Sequence, residues 1–195
     1  MNCTKESGSK LQNALLMMLG LLLLAVFIHS CATETEKTNM TNLEFFKSLN
    51  YEDGLSVVTA TLERFPLQYA ATLGQDGNPQ IRPIEFKFEE DGVLYFDTVT
   101  FYASYAELLA HPYLQLCVCD YETMTYIRLG GKVNFTTDQQ IIDRCFAESP
   151  VLTSQFGNNR EVVIGYYLTE TWAEFNSFSE ELPRRQYQLT NKFDV

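Results

Sequence analysis

The chain has 195 residues, 46% of them apolar and 13% aromatic, and a formal net charge of −11. That acidity argues against nucleic acid as a partner, because phosphate backbones are gripped by clustered Lys and Arg. It leaves room for a single anionic ligand, which needs only local donors.

The opening stretch reads as a targeting segment. Lys5 and Lys10 precede an apolar run from Ala14 to Ile28, which ends at His29-Ser30-Cys31. A basic start, a short apolar core and a small residue before the cut make a secretory signal. The run is about fifteen residues, against the ~20 a helix needs to cross a bilayer. Ile28 and Ser30 ahead of Cys31 resemble a bacterial lipobox, in which the cysteine is lipidated and becomes the mature N-terminus; His29 departs from the usual box. The expected organisation is a signal over 1–31, a Thr-, Glu- and Lys-rich tether over 32–41, and one folded domain over 42–195. The expected location is then the bacterial cell envelope, with the membrane touched only through a lipid on Cys31. A translation start at Met40 would instead leave a cytoplasmic protein.

Within the domain, Leu43, Phe46 and Leu49 stand at helical spacing, and so do Leu55, Val58 and Leu62, so two short helices are predicted before Pro66. The period then changes. Leu67 to Leu73 is β-prone, and Gln75-Asp76-Gly77-Asn78-Pro79 is a turn by composition. From Gln80 the chain alternates, with Ile81, Pro83, Glu85 and Lys87 on one side and Arg82, Ile84, Phe86 and Phe88 on the other. Glu90-Asp91-Gly92 turns it into a strand at Val93–Phe96. Two Asp-Gly turns between alternating segments predict antiparallel hairpins.

Ser104 to Ala110 has helical character and ends at His111-Pro112, since Pro holds its predecessor extended. Leu114–Cys119 and Tyr126–Thr136 read as strands. Asp138 is an N-cap for a helix to about Glu148, with Ile141, Ile142 and Cys145 inward. Val162–Leu168 and Trp172–Phe178 read as two closing strands joined by Thr169-Glu170-Thr171. The fold class is mainly β, an antiparallel barrel or strongly curled sheet with a few peripheral helices. Cys3, Cys31, Cys117, Cys119 and Cys145 are an odd set for a disulfide framework, and none has metal-ligand spacing, so no metal site is expected. Cys117 and Cys119 share a strand face and are expected to be packed thiols.

Several segments, in order, resemble the pyridoxamine 5′-phosphate oxidase-like family of flavin-binding split barrels. They are Ala71-Thr72-Leu73; Asp76 to Ile84; Leu94-Tyr95-Phe96-Asp97-Thr98; Leu108 to Pro112; Tyr126 to Val133; and Ala173 to Phe178. The resemblance implies an antiparallel split β-barrel that forms a homodimer, with FMN in a groove between the two barrels. It sets the flavin phosphate near Arg82, where Thr98 could add a hydroxyl donor, and the ring beside Arg82-Pro83-Ile84-Glu85 and Phe96-Asp97-Thr98. Tyr126 falls where the family places an aromatic against the flavin, and Arg128 faces either ligand or subunit partner. The physics agrees for Arg82, whose planar fork of donors suits phosphate oxygens. One departure stands out. The family's second phosphate ligand, a lysine opening the helix after the Phe-x-Thr strand, is replaced here by Ala103, and Ser104 with the helix N-terminus would have to compensate.

Plainer roles compete for these residues. Arg82 could instead pair with Glu85 or Asp97, Thr98 could cap its strand, and His111 fits a structural corner. Trp172 suits core or interface, and Gly130-Gly131 suits a bulge. No nucleophile–base arrangement is visible, so catalytic residues are unassigned. A flavin enzyme needs none, because the cofactor carries the electron chemistry. Three functions remain open. They are an FMN-dependent reductase or oxidase acting on a small molecule, a binding protein for flavin, haem or another planar ligand, and a structural dimer. The oxidase itself is not implied, since Arg184-Arg185 is the only basic pair near the C-terminus.

Overall fold

The computed structural model describes Met40–Asp194. The signal and Cys31 therefore lie outside the described residues. The chain divides into units 1–45 and 46–195. Of the first, Thr41 and Glu44 form a reciprocal cap: the Thr41 amide donates to Glu44 Oε2 at 2.9 Å and the Glu44 amide to Thr41 Oγ1 at 3.3 Å.

The elements are α1 (Asn42–Ser48), α2 (Gly54–Arg64), β1 (Gln68–Leu73), β2 (Pro79–Ile84), β3 (Phe88–Glu90), β4 (Val93–Val99) and α3 (Ala103–Ala110). They continue with β5 (Tyr113–Asp120), β6 (Thr125–Thr136), α4 (Gln139–Glu148), α5 (Pro150–Phe156), β7 (Val163–Ser177) and β8 (Arg185–Leu189). The strands form one 8-stranded antiparallel sheet in the order β2-β1-β5-β6-β7-β4-β3, with β8 paired to β7. The expected fold class holds, with one strand more than the sequence suggested.

Local chemistry explains the boundaries. Asp53 caps α2 by accepting from the Ser56 amide, and Asp138 caps α4 by accepting from the Gln140 amide. At the β3–β4 hairpin Asp91 and Gly92 both have positive φ, 52° and 83°, the backbone of a tight turn whose twist matches the strands. Phe96, Leu116, Ile127, Leu129 and Phe175 of the sheet are fully buried, as are Val57, Val58 and Leu62 of α2. Burying each such side chain is worth about 1.5–3 kcal/mol. A second cluster joins Tyr95 and Val99 to Ile142, Cys145 and Phe146 of α4 and Leu152 of α5.

Three expectations need correction. The alternating run from Gln80 to Phe88 is not one strand: β2 stops at Ile84 and β3 begins at Phe88, with Glu85–Lys87 between them in no regular structure. The two closing strands are a single one, the 15-residue β7. It bends at Glu170, whose φ is 52°. Register runs from Lys132↔Thr169 to Gly130↔Trp172, so Glu170 and Thr171 stand opposite Gly131 alone. That is a bulge, placed beside the glycine pair as expected. Lastly, Cys117 and Cys119 are not packed. Cys117 is half-buried and Cys119 is exposed, and among the described cysteines only Cys145 is buried.

Candidate functional site

β2 ends the sheet, so among the described residues one of its edges has no strand beside it. Against that end lies a cavity of ≈ 610 Å³, within the range of small-molecule sites. Its sides are Arg82-Pro83-Ile84 of β2 and Asp97-Thr98-Val99 of β4. Val151, Leu152, Gln155 and Phe156 of α5 cover it, and Tyr102 and Ser104 close the end next to α3. Ser149 builds the α5 wall by capping the helix, accepting from the Leu152 amide at 3.2 Å, with Pro150 preset for the first turn.

Arg82 does have an acid partner, but neither Glu85 nor Asp97 fills that role. Its Nη1 donates to Glu107 Oε2 at 2.6 Å and to Thr72 Oγ1 at 2.9 Å, and its Nη2 donates to Glu107 Oε1 at 3.1 Å. Thr72 Oγ1 also donates to Glu107 Oε2 at 2.6 Å. The Glu107 side chain is only 7% exposed and that of Arg82 26%. Hydrogen bonds from Arg82, reinforced by Thr72, hold the Glu107 carboxyl below its usual range against the opposing pull of burial. Beside this pair Thr98 Oγ1 and Ser104 Oγ are buried and 3.2 Å apart.

Further along the wall is a cluster that alternation along the strand did not reveal. Lys87, its side chain 4% exposed, donates to Glu85 Oε2 at 2.6 Å and stands 3.3 Å from Asp97 Oδ2. Ser149 Oγ donates to the same Glu85 oxygen at 2.7 Å. Asp97 Oδ2 is buried and takes no aligned hydrogen bond. Burial raises its carboxyl above the ordinary Asp value, and the attraction of Lys87 offsets only part of that. For Glu85 the same burial penalty is outweighed by bonds from Lys87 and Ser149, leaving its carboxyl lowered.

The cavity thus gathers Arg82, Pro83, Ile84, Glu85, Thr98 and Ser104 of the expected set. Phe96 instead turns into the core, stacked on Tyr166 at 5.4 Å. Tyr126 and Arg128 lie on β6 away from this cavity, where Arg128 donates to Glu174 and Gln115 at 3.3 Å each and lies 5.6 Å from the Trp172 ring. Asp97 was expected beside the ring but not as the partner of a lysine, and Lys87, Ser149 and α5 were missed. The Ser149-Pro150 pair was the available signal for α5, since it matches an N-cap followed by a first-turn proline.

Comparison with known proteins follows the geometry. The sequence profile of the family described as Pyridoxamine 5'-phosphate oxidase matches residues 57–163, just over half of the chain. No curated protein matches in sequence. Among solved structures, a NimC/NimA family protein from Clostridium acetobutylicum is 19% identical with a TM-score of 0.63, covering 71% of this chain and 94% of its own. A Clostridium acetobutylicum protein related to general stress protein 26 of B. subtilis is 12% identical with a TM-score of 0.57, covering 72% and 96%. A heme-binding protein from Mycobacterium smegmatis is 9% identical with a TM-score of 0.52, covering 64% of this chain and 53% of its own. At these identities the likeness is one of fold.

Proposed function

The chain belongs to the pyridoxamine 5′-phosphate oxidase family, and we propose that its ≈ 610 Å³ cavity holds a flavin of the FMN class for oxidation or reduction of a small molecule. The observation that carries this reading is the meeting, in one cavity, of the β2 edge with Arg82, Thr98 and Ser104 at one end. The lining fits such a group. Pro83, Ile84, Leu152 and Phe156 offer apolar surface to a planar ring, and the hydroxyls with Arg82 offer donors to a phosphate. The buried Asp97 Oδ2 offers an acceptor to a ring N–H.

The flavin would supply the hydride and electron chemistry. The protein's part would be to orient the ring along β2, exclude water beneath α5, and hold the Asp97 carboxyl within reach of Lys87. Haem is the alternative. It is favoured by one of the neighbours of similar fold, but the lining has no His, Cys or Met, and Tyr102 is its single side chain of a haem-ligating type.

Absorbance of the purified full-length protein tests the reading: flavin bands are expected, or uptake of added FMN. A colourless protein that takes up no FMN sinks it. Val151→Trp, at an exposed position on the cavity wall, should reduce uptake by filling space. Anaerobic reduction of bound flavin by a reduced nicotinamide separates an enzyme from a carrier.

Two further proposals concern assembly. A homodimer is supported by the apolar side chains that the β1–β2 face leaves exposed, Tyr69, Leu73 and Ile81, the last 71% exposed. In a pair, Tyr126 and Arg128 could then face the partner's ligand. Light scattering giving a monomer mass would refute this. Lipidation at Cys31 and a place in the cell envelope rest on the sequence alone. Labelling with a palmitate analogue should depend on Cys31, and unlabelled soluble protein would overturn it.

A further inference from the structure

We propose that Glu107 cancels the charge of Arg82, so that the cavity takes phosphate-free planar rings such as riboflavin about as readily as FMN. The proposal rests on the flavin reading for its ligand but on the Arg82–Glu107 pair for its substance.

Two oxygens of Glu107 face two nitrogens of Arg82, and Thr72 ties both side chains together. The charges at this end therefore sum to zero. Neither Thr98 nor Ser104 adds one, and Ala103, which opens α3, carries none. The nearest further cation on the wall, Lys87, is already placed between Glu85 and Asp97. An incoming phosphate would meet Arg82 through Nε–H and the second Nη2–H, which take no part in the Glu107 network, while the Glu107 carboxylate repels it from behind. Breaking the pair to free the whole fork would strand a buried carboxylate, which is costly. Phosphate therefore gains little over a hydroxyl here. The Arg82–Glu107 pair fixes the end of the cavity and leaves recognition to the ring.

The test compares dissociation constants for FMN and riboflavin, by flavin fluorescence, in the full-length protein and in Glu107→Gln. In the wild type the two ligands should bind within about threefold of each other, whereas a charge-assisted phosphate contact would separate them by about tenfold or more. Glu107→Gln keeps the shape and releases Arg82, so FMN should tighten by about tenfold while riboflavin stays put. Adding Arg82→Gln should erase that gain. A wild type that already prefers FMN by tenfold, or a variant with an unchanged ratio, overturns the proposal, and the wild-type ratio needs no variant to fold. If neither flavin binds, the flavin reading fails, and inorganic phosphate followed by 31P line broadening decides the role of Glu107. Broadening in Glu107→Gln that is absent from the wild type and from the double variant supports it. Equal spectra overturn it.

Discussion

Lys87 Nζ stands 3.3 Å from Asp97 Oδ2 and 2.6 Å from Glu85 Oε2, a buried lysine between two acids of unequal character. Burial raises the Asp97 carboxyl, whereas bonds from Lys87 and Ser149 leave that of Glu85 lowered. The sign for Asp97 follows. A carboxyl raised on folding contributes stability that is complete below its unfolded value, about 3.9, and is lost as pH rises through the folded one. Wild type should therefore lose stability relative to Asp97→Asn as pH climbs from about 4 toward neutrality. Denaturant midpoints of both proteins across that range check it, and a gap that is flat or widens the other way refutes it.

Lys87→Met removes the only cation in this cluster. Two carboxylates then share a poorly solvated wall, and breaking a buried pair from one side costs about 3–5 kcal/mol. Urea denaturation should show a loss of that order at neutral pH, shrinking in acid as the carboxyls protonate. A loss below about 1 kcal/mol would mean that Lys87 is better solvated than its 4% exposure implies.

Ser149 both caps α5 and donates to Glu85. Ser149→Ala should cost about 1–2 kcal/mol, the range for a lost cap. It should also weaken flavin uptake, because α5 covers the cavity. Normal uptake with the expected stability loss would detach α5 from ligand binding.

Gly130 is bare because Trp172 lies over it. A Cβ there would stand 2.9 Å from three atoms of the indole, whose Nε1 donates to Tyr113 Oη at 2.7 Å. Gly130→Ala should displace the ring at a cost of about 1–3 kcal/mol. Trp172 is the chain's single tryptophan, so its fluorescence reports the change directly. An unshifted emission maximum with unchanged stability would show that the ring has room to yield.

Legibility in the sequence followed the range of the causes. Asp138 and the Asp91-Gly92 turn act within a few residues, and each was visible as local chemistry. The odd face of Arg82 was visible too, because alternation along β2 is a local property. Its true partner was not. Glu107 sits 25 positions away on a helix, and only the folding of α3 over β1 and β2 brings it to Arg82. Lys87 was misplaced for a related reason. Alternation was carried past Ile84, where the strand ends, and the chain there turns its lysine inward between acids from different segments. α5 was hidden by its length, since 7 residues are too few for helical periodicity to stand out.

β7 pairs with β6 along one edge and, on the other, with β4 at Val163–Tyr167 and β8 at Thr171–Phe175. The changeover brackets the bend at Glu170. One length of backbone thus serves both the strand that walls the cavity and the open face that bears Trp172. Slack between these two regions can collect only at the bulge, where two residues already oppose one. Insertions or deletions elsewhere along β7 would turn inward-facing side chains outward. A change of length at 170–171 would instead be absorbed there, which makes that step the sheet's expansion joint.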